Sequence, residues 1–155
     1  DGQSAKLAFL GHTIMENRNG LCVGFDITEG VGISESVGAI RHVDELQKLG
    51  LNVKTLGGDK GFHNEAFING CRERNISPHV ALIKNRKQMG IRRGVGYQIS
   101  QVVRKRFEEI HGWLKTVGRL RKTQFKGVAR IDADGKYNVC ALNLLRITKL
   151  QEATA

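Results

Sequence analysis

Asn17-Arg18-Asn19-Gly20 constrains the fold of this chain more than any other stretch. Asn-Gly is the strongest short signal for a β-hairpin, because both residues tolerate the left-handed backbone that a tight turn requires. It separates two extended-looking runs, residues 5–16 (AKLAFLGHTIME) and 21–28 (LCVGFDIT). In the first run Lys6, Ala8, Leu10, His12, Ile14 and Glu16 alternate with Leu7, Phe9, Gly11, Thr13 and Met15. Apolar side chains fall on both sides of that alternation, the pattern of a strand with both faces partly covered. The sequence therefore predicts an antiparallel pair of strands.

Beyond the hairpin the period changes. Over residues 34–49, Val37, Ile40, Val43, Leu46 and Leu49 recur at three-and-four spacing before Gly50, which predicts a helix and its end. Residues 52–56 (NVKTL) predict a short strand running into Gly57-Gly58-Asp59-Lys60-Gly61. Asn64 is an N-cap candidate for a second helix carrying Ala66, Phe67, Ile68 and Cys71 and ending near Asn75. Residues 78–83 (PHVALI) predict the next strand, and a basic, glycine-bearing loop follows over 84–97. From Gln98 a long helix is expected, since Ile99, Val103, Phe107, Ile110, Leu114 and Val117 form one apolar stripe. A basic segment to Arg130, a turn at Asp132-Ala133-Asp134-Gly135 and an apolar helix over 137–150 complete the pattern. A hairpin followed by alternating strands and helices is an α/β arrangement, a mixed sheet flanked by helices. No repeat, linker or low-complexity tract divides residues 1–155, so one domain is expected.

Charge narrows the partners. Lys and Arg number 25 against 15 Asp and Glu, a net charge of +10 that favours polyanions, nucleic acid above all. Between Lys84 and Arg130 there are fourteen basic residues and only two acids, Glu108 and Glu109. No apolar run is long enough to span a membrane. Cys22, Cys71 and Cys140 lack the paired spacing of a zinc site, and reduced thiols packed in a cytoplasmic core are expected. His12, His42, His63, His79 and His111 show no zinc spacing either. Only His63, close to Asp59, and His111, on the flank of Glu108, stand near candidate chemistry.

Asp59 is that chemistry's first candidate. It follows a short apolar strand within a glycine-flanked turn before a helix, where open α/β sheets place their ligand sites. Glu108 is the second. At 100° per residue it shares a helix flank with Gln101, Arg104, His111 and Lys115, while Glu109 falls on the opposite flank. A carboxylate at a strand end and another on a later helix, inside a basic field, suit phosphodiester chemistry. Hard oxygen ligands hold Mg²⁺, and Lys and Arg hold the DNA backbone.

Gly58-Asp59-Lys60-Gly61-Phe62 resembles the D-x-G-[YF] motif around the second catalytic aspartate of bacterial insertion-sequence transposases, the DDE class. Arg104-x3-Glu108-x6-Lys115 is similar to the R-x3-E-x6-K part of their signature, with Gln101 standing where that signature has Tyr. Gly11-His12, residues 15–21 (MENRNGL), 78–81 (PHVA) and 111–118 (HGWLKTVG) resemble one branch, the IS-four/IS-five superfamily. The likeness extends from about Ala5 to Leu150 and implies an RNase H-like fold acting in DNA transposition. By that resemblance Asp59 and Glu108 are two members of the catalytic triad and metal ligands, with Mg²⁺ the expected ion and Mn²⁺ its substitute. Arg104 and Lys115 would contact the bound transposon end. The cluster Arg119, Arg121, Lys122 and Lys126 could be a solvated face, but its acid-free neighbourhood favours DNA-backbone contact, which is expected of Arg92 and Arg93 as well. The expected partners are insertion-sequence ends and target DNA, with a homo-oligomer around paired ends in the full-length protein, in the bacterial cytoplasm at the nucleoid. The rivals are a non-catalytic basic nucleic-acid-binding module and a host nuclease sharing the fold.

The family's first Asp lies on a strand ahead of the hairpin, so the first strand and its carboxylate are expected upstream of Asp1. Asp26, only 33 positions before Asp59, sits on the second hairpin strand and is a poor substitute, as is the terminal Asp1. A sheet lacking its central strand leaves strand edges unpaired. The isolated 155-residue chain is therefore expected to be marginally stable, aggregation-prone and inactive in cleavage. A thermal melt checks the first of these: a broad transition at low temperature is expected, and a cooperative one with a high midpoint would overturn it.

Overall fold

A computed structural model describes residues 8–30, 35–85, 89–91 and 93–154. The hairpin forms as the sequence dictates. Strands β1 (Phe9–Met15) and β2 (Cys22–Glu29) pair antiparallel, with His12 opposite Asp26 and Met15 opposite Cys22. Glu16 organises the turn: its carboxylate accepts the backbone N–H groups of Arg18, Asn19 and Leu21 at 2.9, 2.7 and 3.1 Å. Gly20 takes the left-handed conformation there, with φ of 74°.

The register shifts between Ile14 and Met15, leaving Val23 as an extra residue in β2. That bulge has a structural effect. Cys22 and Phe25 are three apart and would otherwise point to opposite faces, yet both are buried in one apolar cluster with Ile110, Leu114 and Val139. The opposite face of the hairpin carries His12, Gly24 and Asp26 toward helix α1 (Glu35–Lys48). Both faces are covered, in agreement with the mixed alternation of residues 5–16.

Helix α1 ends at Gly50, whose φ is 78°. Its buried face is Ser36, Gly38, His42, Val43 and Leu46 rather than the full expected stripe, and Val37 and Leu49 are exposed. The helix lies against the hairpin, and at Gly38 a Cβ would stand only 2.6 Å from Nδ1 of His12. A small residue at that point brings the helix close, and so decides which face turns inward.

Strand β3 (Thr55–Gly58) pairs in parallel with β4 (Ser77–Val80), Gly58 opposite Val80. Between them a 3₁₀ turn (Lys60–Phe62) leads into α2 (Glu65–Glu73). Asn64 is its N-cap, accepting from the N–H of Phe67 at 3.0 Å. Phe67, Ile68 and Cys71 of α2 join Val43, Ile76, Val80 and Ile91 in a second apolar cluster. Arg74, which caps α2, grips Asp44 of α1 with two nitrogens at 2.5 and 2.9 Å. That guanidinium holds the Asp44 carboxyl below its ordinary value.

Three expectations are corrected. The described residues form two separate two-stranded sheets, β1-β2 and β3-β4, rather than one mixed sheet. The long helix is interrupted: α3 spans Val95–Val103 and α4 spans Arg106–Thr116. Between them the N–H groups of Lys105, Phe107 and Glu108 bond three residues back, to Val102, Arg104 and Lys105, tightening the winding. The expected stripe breaks there: Ile110 and Leu114 are buried, while Ile99 and Val117 are exposed.

The expected turn at 132–135 is absent, because α5 runs unbroken over Val128–Glu152. Gly135 is there for packing: a Cβ on it would run into the ring of Phe25. Among the cysteines, Cys22 and Cys71 are buried as expected but Cys140 is exposed on α5. Burial pushes the Cys22 thiol up to about 11 and the Cys71 thiol up to about 12, so neither is a nucleophile at neutral pH.

Gly135→Ala is expected to destabilise the chain by about 1–3 kcal/mol through overpacking, although Ala gains about 1 kcal/mol over Gly in a helix. Urea unfolding of this variant beside Gly135→Ala with Phe25→Leu checks it, since the smaller residue at 25 should recover much of the loss.

Candidate active site

Asp59 directly follows β3, where the parallel pair ends. Its Oδ1 accepts the N–H of Gly61 at 2.7 Å and caps the 3₁₀ turn, and the side chain remains exposed. The backbone thus fixes one carboxylate oxygen, while the other has no hydrogen-bond partner among the described residues. Glu35, at the start of α1, brings a second carboxylate to the same turn. A Cβ on Gly61 would sit 3.0 Å from Asp59 Oδ1 and 3.8 Å from Glu35 Oε2. Sequence reading missed Glu35 because only tertiary packing carries it there: α1 lies against α2, and Asn64 Nδ2 donates to Ser36 Oγ at 2.8 Å beside the turn.

Helix α3 docks on the end of β4. Gln101 Nε2 donates to the His79 carbonyl at 2.9 Å, Tyr97 OH donates to the Val80 carbonyl at 3.1 Å, and Ser100 Oγ lies 2.7 Å from His79 Nδ1. Gln101 is thus a clamp on the sheet. These bonds hang the 104–108 segment from the strand that runs beside β3.

Glu108 lies in the first turn of α4, where the helix dipole favours a carboxylate. It is exposed and makes no ion pair with Arg104, because the tightened winding departs from regular i,i+4 geometry. Arg104 is half-buried, and its Nε is one of three buried side-chain polar atoms without a partner among the described residues. His63 Nε2 is another. That ring is 1% exposed, and its Nδ1 accepts the Ile83 N–H at 3.1 Å.

Of the expected DNA contacts, Arg93, Lys115, Arg119, Arg121 and Lys122 are exposed, and among the described residues none enters an ion pair. Arg119 has a left-handed backbone, φ 56°. Arg92 lies outside the described residues, as does Asp1. Trp113 packs half-buried against the Phe25 cluster.

Asp26 is otherwise engaged. Arg41 binds its Oδ2, and His42 Nε2 stands 2.8 Å from its Oδ1, with His42 Nδ1 3.2 Å from Glu45. These groups line an open cavity of about 660 Å³ with Asp132 and Lys136 of α5. A carboxylate neutralised in this way on the α1 side of the hairpin is unavailable to a cation beside Asp59.

Over residues 1–144 the sequence matches the model of the transposase DDE domain. The chain belongs to that family. Neither the curated proteins nor the solved structures yield a significant match. Transposase DDE domains act in transposition, generally with a divalent metal. The oxygen donors Asp59, Glu35 and Glu108 have the right chemistry for such an ion. Their number in one place is too small: among the described residues no three His, Cys, Asp or Glu side chains gather as a cation cage. No described helix is long and apolar enough to cross a membrane.

The histidines set a pH dependence. Burial lowers the proton affinity of His12, His42, His79 and His111, and nearby cations add to this at His12, His42 and His111; at His42 the Glu45 carboxylate works in the opposite direction. Below about 6.5, the ordinary histidine value, the unfolded chain therefore binds more protons than the folded one. Stability is expected to be full above that pH and to fall as pH drops through the window below it. Urea midpoints between pH 7.5 and 5 measure the effect, and His42→Gln should flatten part of the slope.

Proposed function

We propose that this chain is the C-terminal portion of a DDE catalytic domain with an RNase H-like fold, acting in metal-dependent cleavage and strand transfer at insertion-sequence ends. One observation carries the reading most directly. A backbone-anchored carboxylate, Asp59, stands at the end of a parallel strand pair in a chain of this family, with an unpaired Glu108 in a basic segment hung from the neighbouring strand.

In this reading Asp59 and Glu108 are metal ligands, and a third carboxylate is needed beside them. Mg²⁺, or Mn²⁺ in its place, would neutralise charge on the phosphate and activate a water there. The chain's own contribution is positional. Gly61 N–H keeps Asp59 in one rotamer, the α3 clamp holds the Glu108 segment near the sheet, and Arg104 with Lys115 meets the phosphates around the scissile bond. Arg92, Arg93, Arg119, Arg121 and Lys122 extend the contact along the backbone of insertion-sequence ends and target DNA. The split between β1-β2 and β3-β4 favours a further strand joining them, which would bring that carboxylate. Such a protein works as a homo-oligomer at the bacterial nucleoid.

The absence of a three-ligand group among the described residues favours a second reading, a non-catalytic DNA-binding remnant. The two differ in metal affinity. Under the transposase reading, Asp59→Asn and Glu108→Gln weaken Mn²⁺ binding measured by calorimetry; under the remnant reading they leave it unchanged.

Purified 1–155 is expected to bind duplex DNA with log K falling by about 0.9 per phosphate contact for each unit of log salt, and to leave the strands uncut. Mg²⁺-dependent cleavage that Asp59→Ala abolishes would instead show that the site is complete within these residues.

A further inference from the structure

Between α4 and α5 the chain passes through residues 117–127, and these are built unlike an idle connection. Leu120 packs into the Phe25 cluster at one end and Ile131 is buried at the other. Between these anchors Arg121, Lys122, Lys126 and Arg130 are all exposed, with Arg119 just before them. No acid occurs from Val117 to Ile131, and among the described residues none of these five cations takes part in an ion pair.

In the middle stands Phe125, 48% exposed and with no aromatic neighbour among the described residues. Its backbone is tied at both ends to one hydroxyl: Phe125 N–H donates to Thr123 Oγ1 at 3.1 Å, and that Oγ1 donates to the Phe125 carbonyl at 3.3 Å. The space beside Gly127 is open, with nothing within 4 Å of where its Cβ would be. A phenyl ring held out among unpaired cations meets the two requirements for gripping unpaired nucleotides, a stacking platform and a phosphate-binding rim.

We propose that Phe125 stacks on an unpaired DNA base while Arg121, Lys122 and Lys126 hold the flanking phosphates. This rests on the DNA-binding part of the reading above, but on none of its catalytic part. It distinguishes these residues from the other basic positions, which meet duplex backbone only. A lipid surface could also accept an aromatic ring among cations; the family and the surrounding basic belt favour DNA.

The test uses two labelled duplexes of one sequence, one fully paired and one with a single bulged thymidine, titrated with the 155-residue chain by fluorescence anisotropy. The bulged duplex should bind at least fivefold tighter. Phe125→Ala and Phe125→Leu should each remove that preference and leave paired-duplex affinity within twofold, and Phe125→Trp should keep it. Leucine retains apolar area without a ring, so its failure separates stacking from simple burial. Melting temperatures check folding, and none should shift because the ring is half exposed.

Preference retained in Phe125→Ala, or none in the unmodified chain, overturns the stacking proposal and leaves duplex binding standing. Failure to bind either duplex at low salt overturns both. Equal loss on both duplexes assigns Phe125 a folding or general contact role and rejects the proposal. So does Phe125-dependent binding to anionic lipid vesicles without a bulge preference.

Discussion

The outer edge of β2 is finished by side chains of a helix, and much of the remaining structure hangs from that arrangement. Asp132 accepts the Ile27 N–H at 2.9 Å, and Asn143 accepts the Cys22 N–H at 2.9 Å while donating to the Cys22 carbonyl at 2.8 Å. Arg146 completes the row on the Asn19 carbonyl at 2.7 Å. An exposed strand edge invites pairing with other chains, and α5 occupies this one. The Val23 bulge makes it geometrically possible. Without the extra residue, Cys22 and Ile27 would direct their backbone groups to opposite edges. Helix α5, fixed in this way, provides the wall against which α4 buries Ile110 and Leu114, and with them comes Glu108.

What the sequence disclosed is what short-range chemistry decides. The Asn-Gly turn, the Asn64 cap and the Asp59 turn each depend on residues within a few positions, and each formed where it was read. Distant partners governed the rest. Gly135 reads as a turn residue because Asp-Gly usually is one, but its reason for being there is Phe25, more than a hundred positions earlier. The break at 104–105 has no glycine or proline to announce it. The inward face of α1 was obscured because His42 and Gly38, a polar and a small residue, are buried in place of Val37 and Leu49.

The candidate site shows the same division. The exposed, turn-capping position of Asp59 was legible because residues within a few positions set it. Glu108 was legible as a residue but not in its company, since regular helical spacing implied a salt bridge to Arg104 that the tighter winding does not make. Glu35 was invisible, because its approach to Gly61 is wholly tertiary. Positive charge, by contrast, needs no fold to be read. Among the described residues none of the basic side chains from 93 to 130 forms an ion pair, so their field is left uncompensated by close acids.

Two apolar clusters, not one, hold the chain together. Asp59 emerges beside the cluster of Phe67, Ile68 and Val80, whereas the helix bearing Glu108 buries itself in the cluster of Phe25, Ile110 and Val139. Asp59 and Glu108 thus stand on different apolar clusters, which are joined through the hairpin, whose Ile14 packs on the first and Met15 on the second, and through the bonds of α3 to β4. A reaction that needs both carboxylates would report on the mutual registration of the halves, and substitutions far from either acid could tune it.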